Sequence, residues 1–264
     1  MLELYHHGTS VCAAKSRIAL AEKGLAWEGH YVDILKGEQH APDYLKLNPK
    51  GVVPTLVHDG RVIRESTLIG EYLDEVFPDP PLKPASPAAR YAMRMWTKRL
   101  DEELHPATGI VTYAISHRHA VIANGPDAVD AWVNKAPPEQ RERRRQRLER
   151  GIEDAEARAA LLLYDRFLGD MEKALVEGPW LAGDAFSLAD VGVIPYVNRL
   201  DMLELSGLWR PARPCLADWF ERVKARPSFE PALFRYVPPP LGALMKARGV
   251  EAWPQVQAIL KAGK

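Results

Sequence analysis

Five prolines lie within ten residues, from Pro78 to Pro87, and they constrain the fold of this chain more than any other feature. Proline fixes its own φ angle and lacks a backbone N–H, so neither a helix interior nor a sheet interior tolerates such a density. We therefore predict a linker over residues 80–89. It separates an N-terminal domain, residues 1–79, from a longer segment, residues 90–264.

The segment before the linker alternates short strand-like runs with helical ones. Apolar residues with a spacing of two begin at Leu2 and again near Val32, whereas residues 13–23 have a helical pattern that stops at a glycine. Residues 53–63 predict two strands joined by an Asp-Gly turn, and residues 66–76 predict an amphipathic helix. The predicted order is βαβ followed by ββα.

The segment after the linker has no comparable strand pattern. Its long runs are helical in composition and spacing: Arg90 to Leu104, Gln140 to Glu177, Leu188 to Leu205 and Pro214 to Lys224. Residues 120–139 predict an irregular connection, and residues 241–264 predict an appended tail. The fold class is thus a small α/β domain followed by a larger all-α domain.

The composition of the chain argues against several classes of function. Lys plus Arg (35) equals Asp plus Glu (35), so no net positive field exists to attract nucleic acid or an anionic membrane. The chain lacks both a leader pattern and an apolar run of the roughly 18 residues that a membrane span needs, so we expect a cytoplasmic protein. Cys12 and Cys215 have neither disulfide-framework nor metal-ligand spacing, and we expect no metal.

Two short motifs in the N-terminal domain suggest a site for an amino-acid backbone. Val53-Pro54 precedes a predicted strand, and a cis bond there would turn the Val53 amide and carbonyl outward to pair with a peptide. Glu65-Ser66 lies where a strand gives way to a helix, so the Ser66 hydroxyl and the first helical amides suit a carboxylate. Glu65 would hold an ammonium group. Alternatively, Pro54 only ends a loop and Ser66 only caps its helix.

Both motifs within one βαβ–ββα unit resemble the glutathione-binding domain of the glutathione transferases. The resemblance covers nearly the whole chain, and Phe186-Ser-Leu-Ala-Asp190 is similar to a capping box in the family's second domain. It implies a thioredoxin-like N-terminal domain, an all-α domain with a hydrophobic substrate site, and glutathione as cosubstrate. It also implies a homodimer. A noncatalytic dimerisation or regulatory module with the same fold is the alternative.

The resemblance also suggests how the glutathione thiol is activated. Ser10 falls on the position of the catalytic serine in serine-type classes, and Cys12 falls on that of the cysteine in bacterial cysteine-type classes. A hydroxyl donor would favour the thiolate, whereas a cysteine would form a mixed disulfide and give thiol transfer instead. Backbone amides at the start of the first helix are a third possibility. Gln39, with His40 as the weaker match, occupies the loop that contacts the glycyl carboxylate in related classes.

Residues 58–78 and 93–102 are similar to the bacterial β-etherases, the glutathione transferases that cleave β-aryl ethers of lignin-derived phenylpropanoids. The small-molecule partner would then be an aromatic electrophile. One departure is that Cys12-Ala13 stands where those enzymes have Asn-Ser, so Ser10 or Cys12 must substitute for the missing hydroxyl.

Residues 140–150 contain six arginines, which would suit an anion-binding patch. Glutamates at positions 139, 142 and 149 interleave with them at helical spacings. We therefore predict a solvated helix face with i,i+4 ion pairs.

Overall fold

The computed structural model describes residues 1–210 and 212–263. Pro211, and Lys264 at the end of the predicted tail, lie outside the described residues. The chain folds into two compact units. The first comprises residues 1–100, 173–197 and 215–238, and the second comprises residues 101–172, 198–214 and 239–264. The predicted domain boundary at the proline-rich segment stays a prediction.

The first unit contains a mixed four-stranded sheet of order β2-β1-β3-β4. Its strands are β1 (Leu2–His6), β2 (Glu28–Tyr31), β3 (Thr55–His58) and β4 (Arg61–Arg64), and its first helices are α1 (Val11–Glu22), α2 (Pro42–Leu47) and α3 (Ser66–Val76). β1 runs parallel to β2 and antiparallel to β3, and β3 and β4 form the predicted hairpin. The βαβ–ββα order is confirmed.

The rest of the described chain is mostly helical, as predicted. The helices are α4 (Pro87–Arg99), α5 (His105–Thr112), α6 (Arg118–Ile122), α7 (Pro126–Asn134), α8 (Pro138–Arg150), α9 (Ala155–Glu177), α10 (Leu188–Met202), α11 (Pro214–Lys224), α12 (Phe229–Leu233) and α13 (Pro239–Ala262). Two π-helical turns, Leu100–Leu104 and Tyr113–His117, adjoin α5, and 3₁₀ turns cover Glu38–His40, Gly151–Glu153 and Ser206–Leu208.

Hydrophobic packing explains why the N-terminal elements form. Leu4 and Leu56, from the two central strands, are fully buried, as are Ile18 of α1 and Ile69 of α3. α1 and α3 contact each other directly. The two helices therefore exclude water from the sheet, and their N-termini are fixed relative to its edge.

Three predictions of local structure were wrong. β2 covers Glu28–Tyr31 and ends before the Val32 run that predicted it, although the Val32 N–H still donates to the His6 carbonyl. Residues 120–139 contain α7 and are not irregular. Residues 241–264 are not an appended tail, since 239–262 form α13, whose Val256 is fully buried and whose Gly249 lies against the Leu203 carbonyl.

The proline-rich segment is held in place by one buried cation. Lys23, at the end of α1, pairs with Asp74 of α3, and the two side chains are 0% and 5% exposed. The same ammonium group donates to the carbonyls of Phe77 and Pro80, while Asp74 also accepts from the Leu82 N–H. The start of the proline-rich segment is thus anchored, because the carbonyls of Phe77 and Pro80 share one buried charge.

The predicted capping box is present at the start of α10. Asp190 accepts from the Ser187 N–H, and the Ser187 hydroxyl accepts from the Ala189 N–H. Asp190 also accepts from the Leu181 N–H and the Trp219 indole N–H. Burial raises the pKa of Asp190 from 3.8 to about 6, although these donors oppose the shift.

The second unit contains the arginine-rich stretch, which forms α8. The prediction of a solvated face with i,i+4 ion pairs was only partly right. Arg143 and Arg147 pair with Glu156 of α9, and Arg145 pairs with Asp130 of α7, so α8 uses its arginines to bind neighbouring helices. Within residues 1–210 and 212–263, every helix is too short or too polar to cross a lipid bilayer.

Candidate active site

Strand register brings the predicted site residues to one edge of the sheet. Tyr5 pairs with Thr55, and Thr55 pairs with Arg64. The loop after β1, the residues before β3 and the residue after β4 therefore lie at the same edge. The loop after β2 joins them, because β2 is parallel to β1 and the Val32 N–H donates to the His6 carbonyl. All eight predicted residues are on these segments or on the helices that begin there: Ser10, Cys12, Gln39, His40, Val53, Pro54, Glu65 and Ser66.

Ser10 is the N-cap of α1. Its hydroxyl oxygen accepts from the Ala13 N–H at 3.1 Å, and its backbone is extended, as capping requires. The residue is partly exposed. A hydroxyl group accepts and donates at the same time, so capping the helix leaves the Ser10 proton available to a ligand.

Cys12 lies in the first turn of α1 and is also partly exposed. Its sulfur is 3.9 Å from the hydroxyl oxygen of Tyr196, a fully buried residue of α10. Lys15, one turn further on, donates to the Thr67 hydroxyl at 3.1 Å and lies over the Tyr196 ring. The buried Lys15 ammonium thus adds positive charge near the start of α3.

The Val53-Pro54 peptide is cis. The Val53 side chain is buried against Val32 and Tyr44. The preceding carbonyl, that of Val52, accepts from the Tyr44 hydroxyl at 2.7 Å and from the Asn48 amide at 2.8 Å. Within the described part of the chain, neither the N–H nor the C=O of Val53 has a hydrogen-bond partner. These two groups are therefore available to an extended peptide.

Glu65 and Ser66 form the uncapped start of α3. Glu65 is the N-cap residue by position, with φ +67°, but no side chain caps the helix. A positive φ at a residue other than glycine is strained, and such residues concentrate at functional sites. Ser66 does not cap α3 but is its first residue, and its hydroxyl has no hydrogen-bond partner among residues 1–210 and 212–263. The Glu65 carboxylate pairs with the exposed Lys50 at 2.7 Å.

Gln39 and His40 lie in the 3₁₀ turn after β2. Their side-chain nitrogens are 3.3 Å apart. The His40 ring packs on Gly51, where φ is +59° and an added Cβ would come within 2.7 Å of the ring nitrogen. The structure therefore brings this turn against the segment that leads to Val53.

Sequence reasoning missed Arg17, which fixes the loop before α1. Its buried guanidinium donates to the carbonyls of His7 and Gly8. It also donates to the carbonyl of Ala232, which lies 215 residues further along the chain. Burial lowers its pKa to about 10, so it stays charged at neutral pH. Its own segment gives no signal of these contacts, because the polar residues Lys15 and Ser16 directly precede it.

His6 is buried beside Arg17, with 3.4 Å between their nitrogens. Burial and the neighbouring guanidinium lower the pKa of His6 to about 3, so its imidazole is neutral at physiological pH. Among the described residues, no group of three or more His, Cys, Asp or Glu side chains has a geometry that would hold a metal ion. The groups at this edge include the partly exposed hydroxyl of Ser10 and the partly exposed thiol of Cys12.

Comparisons with known proteins point to one family. The family model for the glutathione S-transferase N-terminal domain matches residues 9–76, and that for the C-terminal domain matches residues 138–222. The chain is 33% identical over 247 residues to Protein LigF of Sphingobium sp. strain SYK-6, covering 87% of this chain and 91% of that protein. It is 30% identical over 249 residues to the tetrachloro-p-hydroquinone reductive dehalogenase of Sphingobium chlorophenolicum, with coverages of 88% and 95%.

The fold of this chain is also similar to that of a solved structure. The crystal structure of beta-etherase LigF from the Sphingobium strain matches with a TM-score of 0.71 and 31% sequence identity. The match covers 89% of this chain and 99% of that one. The similarity therefore extends over both the sheet-containing and the helical parts of the molecule.

Proposed function

Because this chain belongs to the glutathione S-transferase family, we propose that it binds glutathione at the sheet edge described above and directs the thiolate at an aromatic electrophile. The single observation that carries the proposal is the set of unsatisfied groups that share this edge. Val53 offers an N–H and a C=O, and Ser66 offers a hydroxyl beside uncapped amides of α3. A tripeptide supplies a complementary backbone and α-carboxylate.

The γ-glutamyl end of glutathione fits the start of α3. Its carboxylate is stabilised by the helix N-terminus and by the Ser66 hydroxyl, and Lys15 adds a further positive charge nearby. Its ammonium group pairs with Glu65, whose present partner, Lys50, is exposed and weakly held. The cysteinyl backbone pairs with Val53, and Gln39 and His40 receive the glycyl carboxylate.

Ser10 then activates the thiol. A free cysteine-like thiol has a pKa of about 8.5 and is mostly protonated at neutral pH. A donor hydroxyl and the N-terminal amides of α1 stabilise the thiolate, and each unit by which they lower the thiol pKa requires only about 1.4 kcal/mol. The Ser10 hydroxyl lies at the N-terminus of α1, because it caps that helix, and it retains a proton that it can donate to the thiolate.

For the reaction we propose cleavage of a β-aryl ether, because the similar LigF structure is that of a beta-etherase. The thiolate attacks the carbon that bears the aryloxy group, next to a ketone. A carbon–sulfur bond forms, the carbon–oxygen bond breaks, and the electron pair leaves with the phenolate. Phenolate is a good leaving group, so activation and orientation of the thiol are sufficient. We also expect a homodimer, as the resemblance implies.

Cys12 supports a second candidate function, because its sulfur is partly exposed in the first turn of α1. In a cysteine-type enzyme, the Cys12 thiolate would take a glutathionyl group from a disulfide and pass it to a thiol.

Two substitutions separate these functions. Turnover is measured with glutathione and either a β-aryl ether ketone or 1-chloro-2,4-dinitrobenzene. We expect Ser10→Ala to lower turnover by about 10- to 1000-fold, in line with the loss of one preorganised donor, and Cys12→Ala to leave it largely intact. Ser86→Ala is the matched control, because Ser86 caps α4 by an equivalent 3.1 Å bond. Two results together would favour the cysteine-type enzyme. They are loss of turnover in Cys12→Ala and, in the wild-type protein, a glutathione adduct on Cys12 detected by intact mass.

Binding is tested separately by calorimetry with glutathione. Ser66→Ala should weaken binding by about 1–3 kcal/mol, because a charged ligand group loses its hydrogen-bond partner. Ser86→Ala should bind glutathione as the wild type does. Absence of glutathione binding and of turnover in the wild-type protein would favour the noncatalytic module.

A further inference from the structure

A cavity of about 490 Å³ lies within the second unit, between α7, α8 and the π-helical turn Tyr113–His117. Three arginines of α8 line it, Arg143, Arg144 and Arg147, together with Tyr113 and Trp132. Its volume lies in the range of small-molecule sites. None of these residues takes part in the proposed glutathione site.

The apolar wall of the cavity is a stack of flat side chains. The Tyr113 and Trp132 rings are 5.6 Å apart and nearly parallel, at 11°. The Arg144 guanidinium lies 3.7 Å from the centre of the Trp132 ring. This arrangement fixes three planar groups side by side, and a planar aromatic ring is the shape that packs on such a wall with the least loss of contact.

Two polar atoms at the cavity are buried and lack a hydrogen-bond partner among the described residues. They are the Tyr113 hydroxyl and the Arg144 Nε. Burial raises the pKa of Tyr113 to about 12, so its hydroxyl keeps its proton and can donate. Both orphaned groups are thus donors, and buried donors without acceptors are costly. An oxygen acceptor on a ligand would satisfy them.

The cavity has more positive than negative charge. Arg143 and Arg147 share a single carboxylate, that of Glu156. The Arg144 guanidinium packs on the Trp132 ring and has no carboxylate partner in the described part of the chain. Three guanidinium groups therefore face one carboxylate, and a ligand anion would balance the excess.

We propose that this cavity is a binding site for a small aromatic carboxylate, distinct from the glutathione site. The ring packs on the Tyr113–Trp132 wall, and the carboxylate accepts from Arg144 and from the Tyr113 hydroxyl. The proposal does not depend on glutathione chemistry, since every group that it uses belongs to the second unit.

Calorimetry with 2-naphthoate tests the proposal on the full-length protein. We expect saturable one-to-one binding with a Kd below about 1 mM. Two matched ligands separate charge from shape: 2-naphthamide keeps the ring without the charge, and cyclohexanecarboxylate keeps the charge without the aromatic ring. Each should bind at least about tenfold more weakly, because each lacks one of the two contacts.

Variants then assign the contacts. Arg144→Gln should weaken 2-naphthoate binding at least about tenfold, and Tyr113→Phe, which removes only a hydroxyl, should weaken it by about two- to tenfold. Arg145→Gln is the control, because Arg145 is the next residue on α8 but pairs with Asp130 and does not line the cavity. Circular dichroism verifies that each variant is folded. Absence of saturable binding, equal binding of the amide, or equal losses in Arg144→Gln and Arg145→Gln would each overturn the proposal.

Discussion

Replacing Lys23 with methionine should destabilise the first unit more than any surface substitution in it. The Lys23 ammonium is fully buried and holds three acceptors, the Asp74 carboxylate and the carbonyls of Phe77 and Pro80. Breaking a buried ion pair by removing one partner costs about 3–5 kcal/mol. Each carbonyl that loses its donor adds about 0.5–1.5 kcal/mol, so the expected loss is about 4–8 kcal/mol.

This loss is measured as the change in the free energy of unfolding, from urea titrations followed by tryptophan fluorescence. Lys83→Met is the matched control, because Lys83 pairs with Glu75 of the same helix as Asp74, but the glutamate is 62% exposed. We expect a change of at most about 1 kcal/mol in that control, since the Glu75 carboxylate remains solvated without its partner.

A second variant tests the cause. Adding Asp74→Asn to Lys23→Met removes the stranded charge but keeps an acceptor for the Leu82 N–H. The double variant should recover several kcal/mol of the loss, because an uncompensated buried carboxylate is the largest contribution. A loss below about 2 kcal/mol in Lys23→Met, or no recovery in the double variant, would refute the reasoning.

Three further predictions follow from buried contacts. Burial raises the pKa of Asp190 from 3.8 to about 6. The contribution of Asp190 to the free energy of unfolding is therefore greatest below pH 3.8 and is lost as the pH rises to about 6. Relative to Asp190→Asn, the wild type should therefore lose about 3 kcal/mol of unfolding free energy between pH 3.5 and 6.5, measured by urea titration, and a flat difference would contradict the shift. Gly8→Ala should abolish glutathione-dependent turnover, because a Cβ there collides with the Tyr236 carbonyl and displaces the loop before α1; unchanged turnover would show that the loop tolerates it. Gly249→Ala should lower the thermal midpoint by several degrees, because α13 lies against the Leu203 carbonyl at this point, and an unchanged midpoint would mean that α13 adjusts freely.

The sequence predicts elements well where local chemistry decides them. Residues 66–76 form α3 with the predicted bounds, because an apolar spacing of three and four follows a clear start at Glu65. The Asp59-Gly60 turn joins β3 and β4, since both residues adopt the positive φ that such a turn needs. The same local reasoning predicted α11 over Pro214–Lys224.

The errors came where distant residues decide the structure. Residues 241–264 have a helical composition but gave no sign of a partner, and α13 is fixed by contacts with residues such as Leu203. The arginines of α8 were interpreted from their neighbours in sequence, whereas their partners, Asp130 and Glu156, lie on other helices. Spacing within a segment contains no information about which other segment covers it.

The candidate site shows the same limit. The motifs Val53-Pro54 and Glu65-Ser66 were visible because proline and a helix start have local signatures. The structure adds that Ser10 caps α1. Arg17 was missed because nothing in its own segment indicates that its guanidinium binds the carbonyl of Ala232.

The Arg17 contact has a consequence for the order of events during synthesis. Its acceptor on Ala232 is added to the chain 215 residues after Arg17 itself. At about 5–20 residues per second, the ribosome needs about 10–45 seconds to cover that distance. During this interval the loop that carries Ser10 lacks its final anchor, although the sheet beneath it is already complete in sequence. The nascent N-terminal segment therefore waits for the end of α12 before its candidate catalytic loop acquires its mature shape, and a chain interrupted before Ala232 would leave the ribosome with that loop unfinished.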